Sequence, residues 1–134
     1  MAVFSLTDAS VVINSVDLSD HVRSVTVEAD VNELDTTAMG DTWTTMIGGV
    51  NSGSVQLDLY NDHAASNVDA TMWAALGTVV PFVIKPTSSA VSATNPSYSG
   101  SLLVSGHTVG GSHGETPMVS RTYPASGTVT RATS

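Results

Sequence analysis

The chain contains no cysteine, so disulfides and thiolate metal sites are excluded and stability has to come from packing. Lys and Arg together number only four against twelve Asp and Glu, leaving a formal charge of −8. Nucleic-acid binding draws its free energy from counterions displaced by Lys and Arg, so this balance argues against DNA as a bound partner. Long apolar runs are missing as well: nothing approaches the ~18 residues of a membrane span. The opening MAVFSLTDAS has neither a basic n-region nor an apolar stretch long enough for a signal peptide. The expectation is a protein that is made and stays in an aqueous compartment, with no membrane partner. Aromatics are few, with two Trp, three Tyr and two Phe, and most are expected in the core.

What remains is rich in Val, Thr and Ser and poor in the Ala, Leu, Glu and Lys of surface helices, a composition that favours strands. Leu, Ile, Val and Phe make up about a quarter of the chain, enough for a folded core. Val11, Val12 and Ile13 face Val16 and Leu18 across Asn14-Ser15, which predicts a tight hairpin. From Arg23 to Val31 the odd positions Val25, Val27, Ala29 and Val31 are apolar and Ser24, Thr26 and Glu28 polar, the period of a half-buried strand. Ser54–Tyr60 repeats it with Val55, Leu57 and Leu59, after a turn supplied by Gly48, Gly49 and Gly53.

One helix is predicted, from a capping-box-like Ser66 and Asp69, through Val68, Met72 and Leu76 at i, i+4 and i+8, to Gly77. Val79–Ile84 is a continuous apolar run suited to a strand covered on both faces, with Pro81 marking an edge or a strand start. Thr87–Ser97, bounded by Pro86 and Pro96, is expected to be an exposed connection. Further strands are expected at Tyr98–Ser105, Met118–Tyr123 and Gly127–Arg131. The fold class is therefore all-β: one domain over residues 1–134, a β-sandwich or barrel of about seven or eight strands with one flanking α-helix.

Chemistry-bearing motifs are weak. Gly110-Gly111-Ser112-His113-Gly114 matches G-x-S-x-G, but a strand pattern rather than a helix follows it and no histidine lies downstream of His113. An ordinary glycine-rich loop is the preferred reading, and no catalytic residue is assigned. His21, His63, His107 and His113 fit no zinc spacing, and solvated loop histidines are expected despite the nearby Asp20, Asp62 and Glu115. Asp58, Asn61 and Asp62 lack the glycine and terminal glutamate of a calcium loop, and no phosphate-binding G-x-x-x-x-G-K-[ST] occurs. The expectation is no metal and no cofactor. The clustered acids have polar neighbours, which give no cause for a raised pKa.

One segment stands apart. Glu33–Ile47 has no sustained period, yet it carries Leu34, Met39, Trp43, Met46 and Ile47. Either a partner buries these side chains, or Trp43 and Ile47 lie in a strand facing the core and the rest is loop.

Several stretches together resemble the small major tail proteins, or tail tube proteins, of siphophages, especially those of actinobacteria. They are VINSVDLSDHVRSVTVE (12–28), ELDTTAMGDTW (33–43) with the following IGG, MWAALGTVVPFVIKPTSSAVSATNPSYSG (72–100) and YPASGTVTRAT (123–133). The first departs from the family where Asn14-Ser15 stands in place of Asn-Gly. The resemblance implies a structural, non-enzymatic β-sandwich subunit whose partner is itself, six to a ring. The rings stack into a tube, alongside other phage tail proteins, through which DNA passes without specific binding. It implies a place in the virion tail, after assembly in the host cytoplasm. It also implies a long loop at 33–47 and arms at 1–10 and 125–134 that reach neighbouring subunits.

A tube that passes DNA should repel phosphate from its wall. That makes Asp17, Asp20, Glu28, Asp30, Glu33, Asp35, Asp41 and Asp58 candidate lumen acids, and Arg23, Lys85, Arg121 and Arg131 candidate partners for carboxylates across subunits. A capsid decoration or head-tail joining protein would share the small acidic β fold. A carbohydrate-binding or adhesin-like sandwich would need exposed aromatics beside Asn and Asp.

Overall fold

The computed structural model describes residues 5–64 and 67–134. Among these the elements run β1 (Ser10–Ile13), β2 (Val16–Asp17), a 3-10 turn (Ser19–His21), β3 (Val22–Asp35), β4 (Met46–Tyr60), α1 (Val68–Ala74), β5 (Val79–Lys85), β6 (Ser97–Leu103), β7 (Met118–Pro124) and β8 (Thr130–Ala132). Two antiparallel sheets result, one of order β2-β1-β5-β6-β8 and one of order β3-β4-β7. The chain is an all-β sandwich with a flanking helix.

The period-two runs place the core. Val55, Leu57 and Leu59 of β4, with Val119 and Tyr123 of β7, face Val11, Ile13, Val80, Phe82, Ile84 and Leu102 of the larger sheet, all of them buried. Val25 and Val27 of β3 pack on this cluster from its margin. The first hairpin forms as expected, because Asn14 and Ser15 both take left-handed φ (52° and 65°), the conformation a two-residue turn between twisted strands requires. Ile13 then pairs with Val16, and Leu18 is buried beyond β2.

Several expectations are corrected. β5 is not covered on both faces: Val80, Phe82 and Ile84 are buried while Val79 and Val83 are exposed on the outer surface. Nor is it an edge, since it lies between β1 and β6. Pro81 is tolerated there because pairing with β1 ends at Ile13↔Phe82, and only the Pro81 carbonyl is used, accepting from Asn14 N–H at 2.8 Å. The helix buries Val68, Thr71, Met72 and then Ala75, whereas Leu76 is exposed, and Gly77 closes it at φ 80°. The proposed cap Ser66 lies outside the described residues; Asn67 is the N-cap and makes no capping side-chain bond. Both tryptophans are exposed, so among the described aromatics the core rests on Phe82 and Tyr123.

The Thr87–Ser97 connection is not simply exposed, because Asn95, Pro96 and Ser97 are buried. The Asn95 amide organises the loop: its oxygen accepts from Thr87 N–H (3.1 Å), and its nitrogen donates to Ser89 O (2.9 Å) and Ala90 O (3.2 Å). The C-terminal segment is likewise not a free arm, since Thr130–Ala132 forms β8 against β6. The Gly127–Arg131 strand thereby shrinks to Thr130–Ala132, with Gly127 in a turn at φ 92°. At the other end Met1–Phe4 lie outside the described residues, Asp8 bridges to Thr87, and Ser10 already belongs to β1.

Replacing Asn95 by Ala leaves the Thr87 N–H and two carbonyls without their partner, and is expected to cost about 1–3 kcal/mol. Urea unfolding should show a lower midpoint at unchanged slope. An unaltered midpoint would mean that the loop is held some other way.

Candidate functional site

β4 pairs with β7 only over Ser54–Tyr60, but with β3 out to Asp35↔Met46. Beyond Ala29↔Gly53 the three-stranded sheet therefore continues as a two-stranded ribbon. This corrects the expected irregular loop: strand runs to Asp35 and resumes at Met46, so the connection proper is residues 36–45. A bulge hid the period. Between the pairs Val31↔Asn51 and Glu33↔Gly48, β3 advances two residues and β4 three, which shifts the alternation of β4. The extra residue falls at Gly49 and Val50. A Cβ at Gly49 would lie 3.0 Å from Asn32 O and 3.3 Å from Leu34, so glycine lets Leu34 lie across the ribbon.

The tip holds its own shape. Thr36 N–H donates to Thr45 O (2.9 Å), Thr45 N–H to Thr37 Oγ1 (2.9 Å) and Ala38 N–H to Asp41 Oδ2 (2.8 Å). Asp35 accepts from Thr37 N–H (2.8 Å), and its carboxyl is held below the ordinary value by the Thr37 hydroxyl and N–H. The apolar side chains are left uncovered: Met39 is fully exposed, Trp43 is 84% and Val50 80% exposed, and Leu34, Met46 and Ile47 stand out along the strands. Neither Trp43 nor Ile47 faces the core, which removes the alternative of a core-facing strand.

Of the eight candidate lumen acids, the structure gathers three on one surface. Glu28, Asp30 and Asp58 share the outer face of the β3-β4-β7 sheet, opposite Val25, Val27 and Leu57, with Ser24, Thr26, Ser54 and Gln56 between them. Ser120 on the neighbouring strand donates to Asp58 Oδ1 at 2.6 Å. Glu33, Asp35 and Asp41 lie farther out on the ribbon. Asp17 and Asp20 lie apart, by β2 and the 3-10 turn, where Ser19 holds the Asp17 carboxyl below its ordinary value.

The four cations are scattered. Arg23 reaches Met118 Sδ (3.8 Å), and Lys85 Nζ donates to Ser89 O (3.0 Å). Arg121 turns inward over Gly106, where a Cβ would lie 2.3 Å from its guanidinium. Arg131 is exposed on β8. Among the described residues no Lys or Arg pairs with a carboxylate; the ion pairs there are all His with Asp.

Those His–Asp pairs were missed in the sequence. His107, expected in solvent, has a fully buried side chain whose Nε2 lies 3.0 Å from Asp69 Oδ1, with His63 Nδ1 3.3 Å from the other oxygen. His21 Nε2 lies 2.8 Å from Asp62 Oδ2, which also accepts from Asn67 Nδ2 (2.9 Å). Separations of 38 and 41 residues leave no local signature of these pairs. They tie the α1 start to the 3-10 turn and to the loop after β6. No three His, Cys, Asp or Glu among the described residues come together as metal ligands. Ser112 lies in the exposed loop before β7 with no helix after it, away from the strand-to-helix turn a nucleophile elbow needs.

Asp62 is held below the ordinary aspartate value of 3.8 by Ala64 N–H first and then His21, and Asp69 by His107 first and then His63. A carboxyl with a depressed folded-state pKa contributes stability present above the unfolded value and lost as pH falls through the folded one. Asp69→Asn should therefore lower the urea midpoint near pH 7, and the gap to wild type should close in acid, as pH falls below the ordinary 3.8 and through the depressed folded-state value. A gap that persists in acid would assign the loss to packing.

No protein-family model matches the chain, and no curated protein does. Solved structures match in fold. A chain from a structure described as the virion of a native gene transfer agent particle superposes with a TM-score of 0.78, at 14% identity, over 97% of this chain and 99% of that one. A chain from the tail of an empty gene transfer agent particle, solved by helical refinement with C6 symmetry, gives a TM-score of 0.65, at 17% identity, over 82% and 81%.

Proposed function

We propose that the chain is a structural subunit of a phage-type tail that assembles with copies of itself into stacked rings, six to a ring, forming a tube through which DNA passes. The observation that carries this is the ribbon: an ordered hairpin presenting Leu34, Met39, Trp43, Met46 and Ile47 to solvent, with nothing among the described residues to cover them. The fold it shares with chains of gene transfer agent particles, one of them in a tail with C6 symmetry, supports the same reading, as does the resemblance to siphophage tail tube proteins. The role is structural and asks for no catalysis, cofactor or membrane, and its place is the virion tail. The acid-bearing outer face of β3 and β4, which has no lysine or arginine between Ser24 and Asp30 or between Ser52 and Asp58, suits a wall that DNA slides past. Of the other readings open from the sequence, a decoration protein and a glycan-binding sandwich leave this face without a use, and a head-tail joining protein would use face and ribbon in a single ring, so open-ended stacking is what separates it from a tube.

Negative-stain microscopy of the purified protein tests this, with rings and tubes expected. Trp43→Ala combined with Met39→Ala should leave a soluble, β-folded subunit. Loss of a tryptophan anchor costs about 2 kcal/mol or more per interface, roughly a thirtyfold rise in the concentration needed for assembly. Wild-type protein that stays monomeric would sink the proposal, and a double variant that assembles normally would remove the ribbon from it.

A further inference from the structure

Among the described residues the sandwich is not filled to its margin. Where β3, an edge of one sheet, faces β8, an edge of the other, an open cleft of about 470 Å³ remains. Val25, Val27 and Ala29 form one wall and Tyr98 and Val129 the other, with Lys85 and Arg131 also lining it. The volume lies within the roughly 300–1,000 Å³ of clefts that bind compact ligands and side-chain clusters. Arg131 thus sits at an apolar cleft with no carboxylate partner among the described residues, whereas the Lys85 side chain alternates with Ile84 onto the outer side of β5 and donates to Ser89 O.

The ribbon is the complement of this cleft. It is apolar at Leu34, Met39, Trp43 and Ile47, it carries Glu33, Asp35 and Asp41, and no Lys or Arg occurs between Arg23 and Lys85. A subunit's own ribbon cannot fill its own cleft, because Ala29 of the wall is the ribbon's base and residues 31–48 project from it into solvent. We infer that the ribbon tip of one copy docks into the β3–β8 cleft of the next, its apolar side chains between the walls and its acids toward Arg131. This rests on the self-assembly proposed above and names the surface that receives the ribbon. Tip and cleft are different patches, so the contact is head-to-tail: it propagates from copy to copy, closing into a ring or running on as a stack.

A mixing experiment on the full chain tests it. One variant loses the tip (Trp43→Ala with Met39→Ala). A second blocks the cleft with Ala29→Glu, an exposed wall position where bulk and negative charge oppose an acidic tip. Arg131→Glu is an independent cleft variant should the first fail to fold, as judged by circular dichroism. Sedimentation velocity should show each variant alone self-associating at least ~30-fold more weakly than wild type. An equimolar mixture of tip and cleft variants should form a one-to-one dimer and nothing larger, because one intact tip and one intact cleft remain between them. Cleft variants that polymerise like wild type, or a mixture that stays monomeric while wild type assembles, overturn the docking alone. The cleft would then be filled by something else, such as the residues before Ser5 or another tail component. Wild-type protein that never assembles overturns the self-assembly on which it rests.

Discussion

Strand β4 pairs with two partners of unequal length, and the rest of the molecule follows from that inequality. Over Ser54–Tyr60 it is a central strand, with β3 on one side, β7 on the other, and Val55, Leu57 and Leu59 driven into the core. Before Gly53 it has β3 alone. A two-stranded ribbon in water is marginal by itself, since neither face is covered. This one is anchored at its base by the sandwich and closed at its tip by the threonine and aspartate bonds of residues 36–45. Apolar side chains along an ordered but uncovered ribbon are what a packing core would not leave outside.

In the proposed assembly, electrostatics limits how a subunit can meet its copies. At −8, with no Lys or Arg engaged by a carboxylate among the described residues, subunits repel one another at long range. The repulsion is screened beyond roughly 8–10 Å in physiological salt. Exposed ion pairs between copies contribute about 0–1 kcal/mol each. Four cations per chain therefore cannot drive association and can only orient it. The driving force has to come from apolar area, at about 25 cal/mol per Å² removed from water, and such area is exposed on the ribbon, at Val79 and Val83, at Trp73 and Leu76 of the helical segment, and at Leu6 and Val109.

Much of this was legible in the sequence, and the failures have physical causes. Val25 and Val27, and Val55, Leu57 and Leu59, read correctly because a sheet with one face on the core imposes period two. Asn14-Ser15 read correctly because few residue pairs tolerate left-handed φ twice. The ribbon did not, because the bulge at Gly49 and Val50 shifts the phase of β4 and makes a paired strand look irregular. Val79–Ile84 misled in another way: a run of apolar residues implied two covered faces, while a single subunit covers one. Leu34, Met39, Trp43, Met46 and Ile47 are all exposed, although the segment that carries them is largely strand and not irregular chain. The His21–Asp62 and His107–Asp69 pairs were invisible because they join distant parts of the chain, and Asn95 because its bonds to Thr87, Ser89 and Ala90 fold an irregular loop that has no period to read.

In the proposed assembly, the order already present in the tip bears on how docking is paced. A disordered loop that folds on docking spends part of its interaction free energy on ordering, at about 1–2 kcal/mol for each residue whose backbone is fixed. The Thr36–Thr45, Thr37–Thr45 and Ala38–Asp41 bonds meet that cost within the monomer, so less of the free energy of burying Trp43 and Met39 is diverted to ordering. The same preorganisation leaves a monomer with a permanently exposed apolar ribbon, an aggregation hazard for a neutral protein. The surplus of acids offsets the hazard: Glu33, Asp35 and Asp41 stand among the apolar side chains, so ribbons that meet side by side bring like charges together. A partner surface carrying cations meets no such penalty. Charge on the ribbon thus acts less as an attraction than as a filter, selecting among the apolar contacts that the exposed side chains would otherwise make at random.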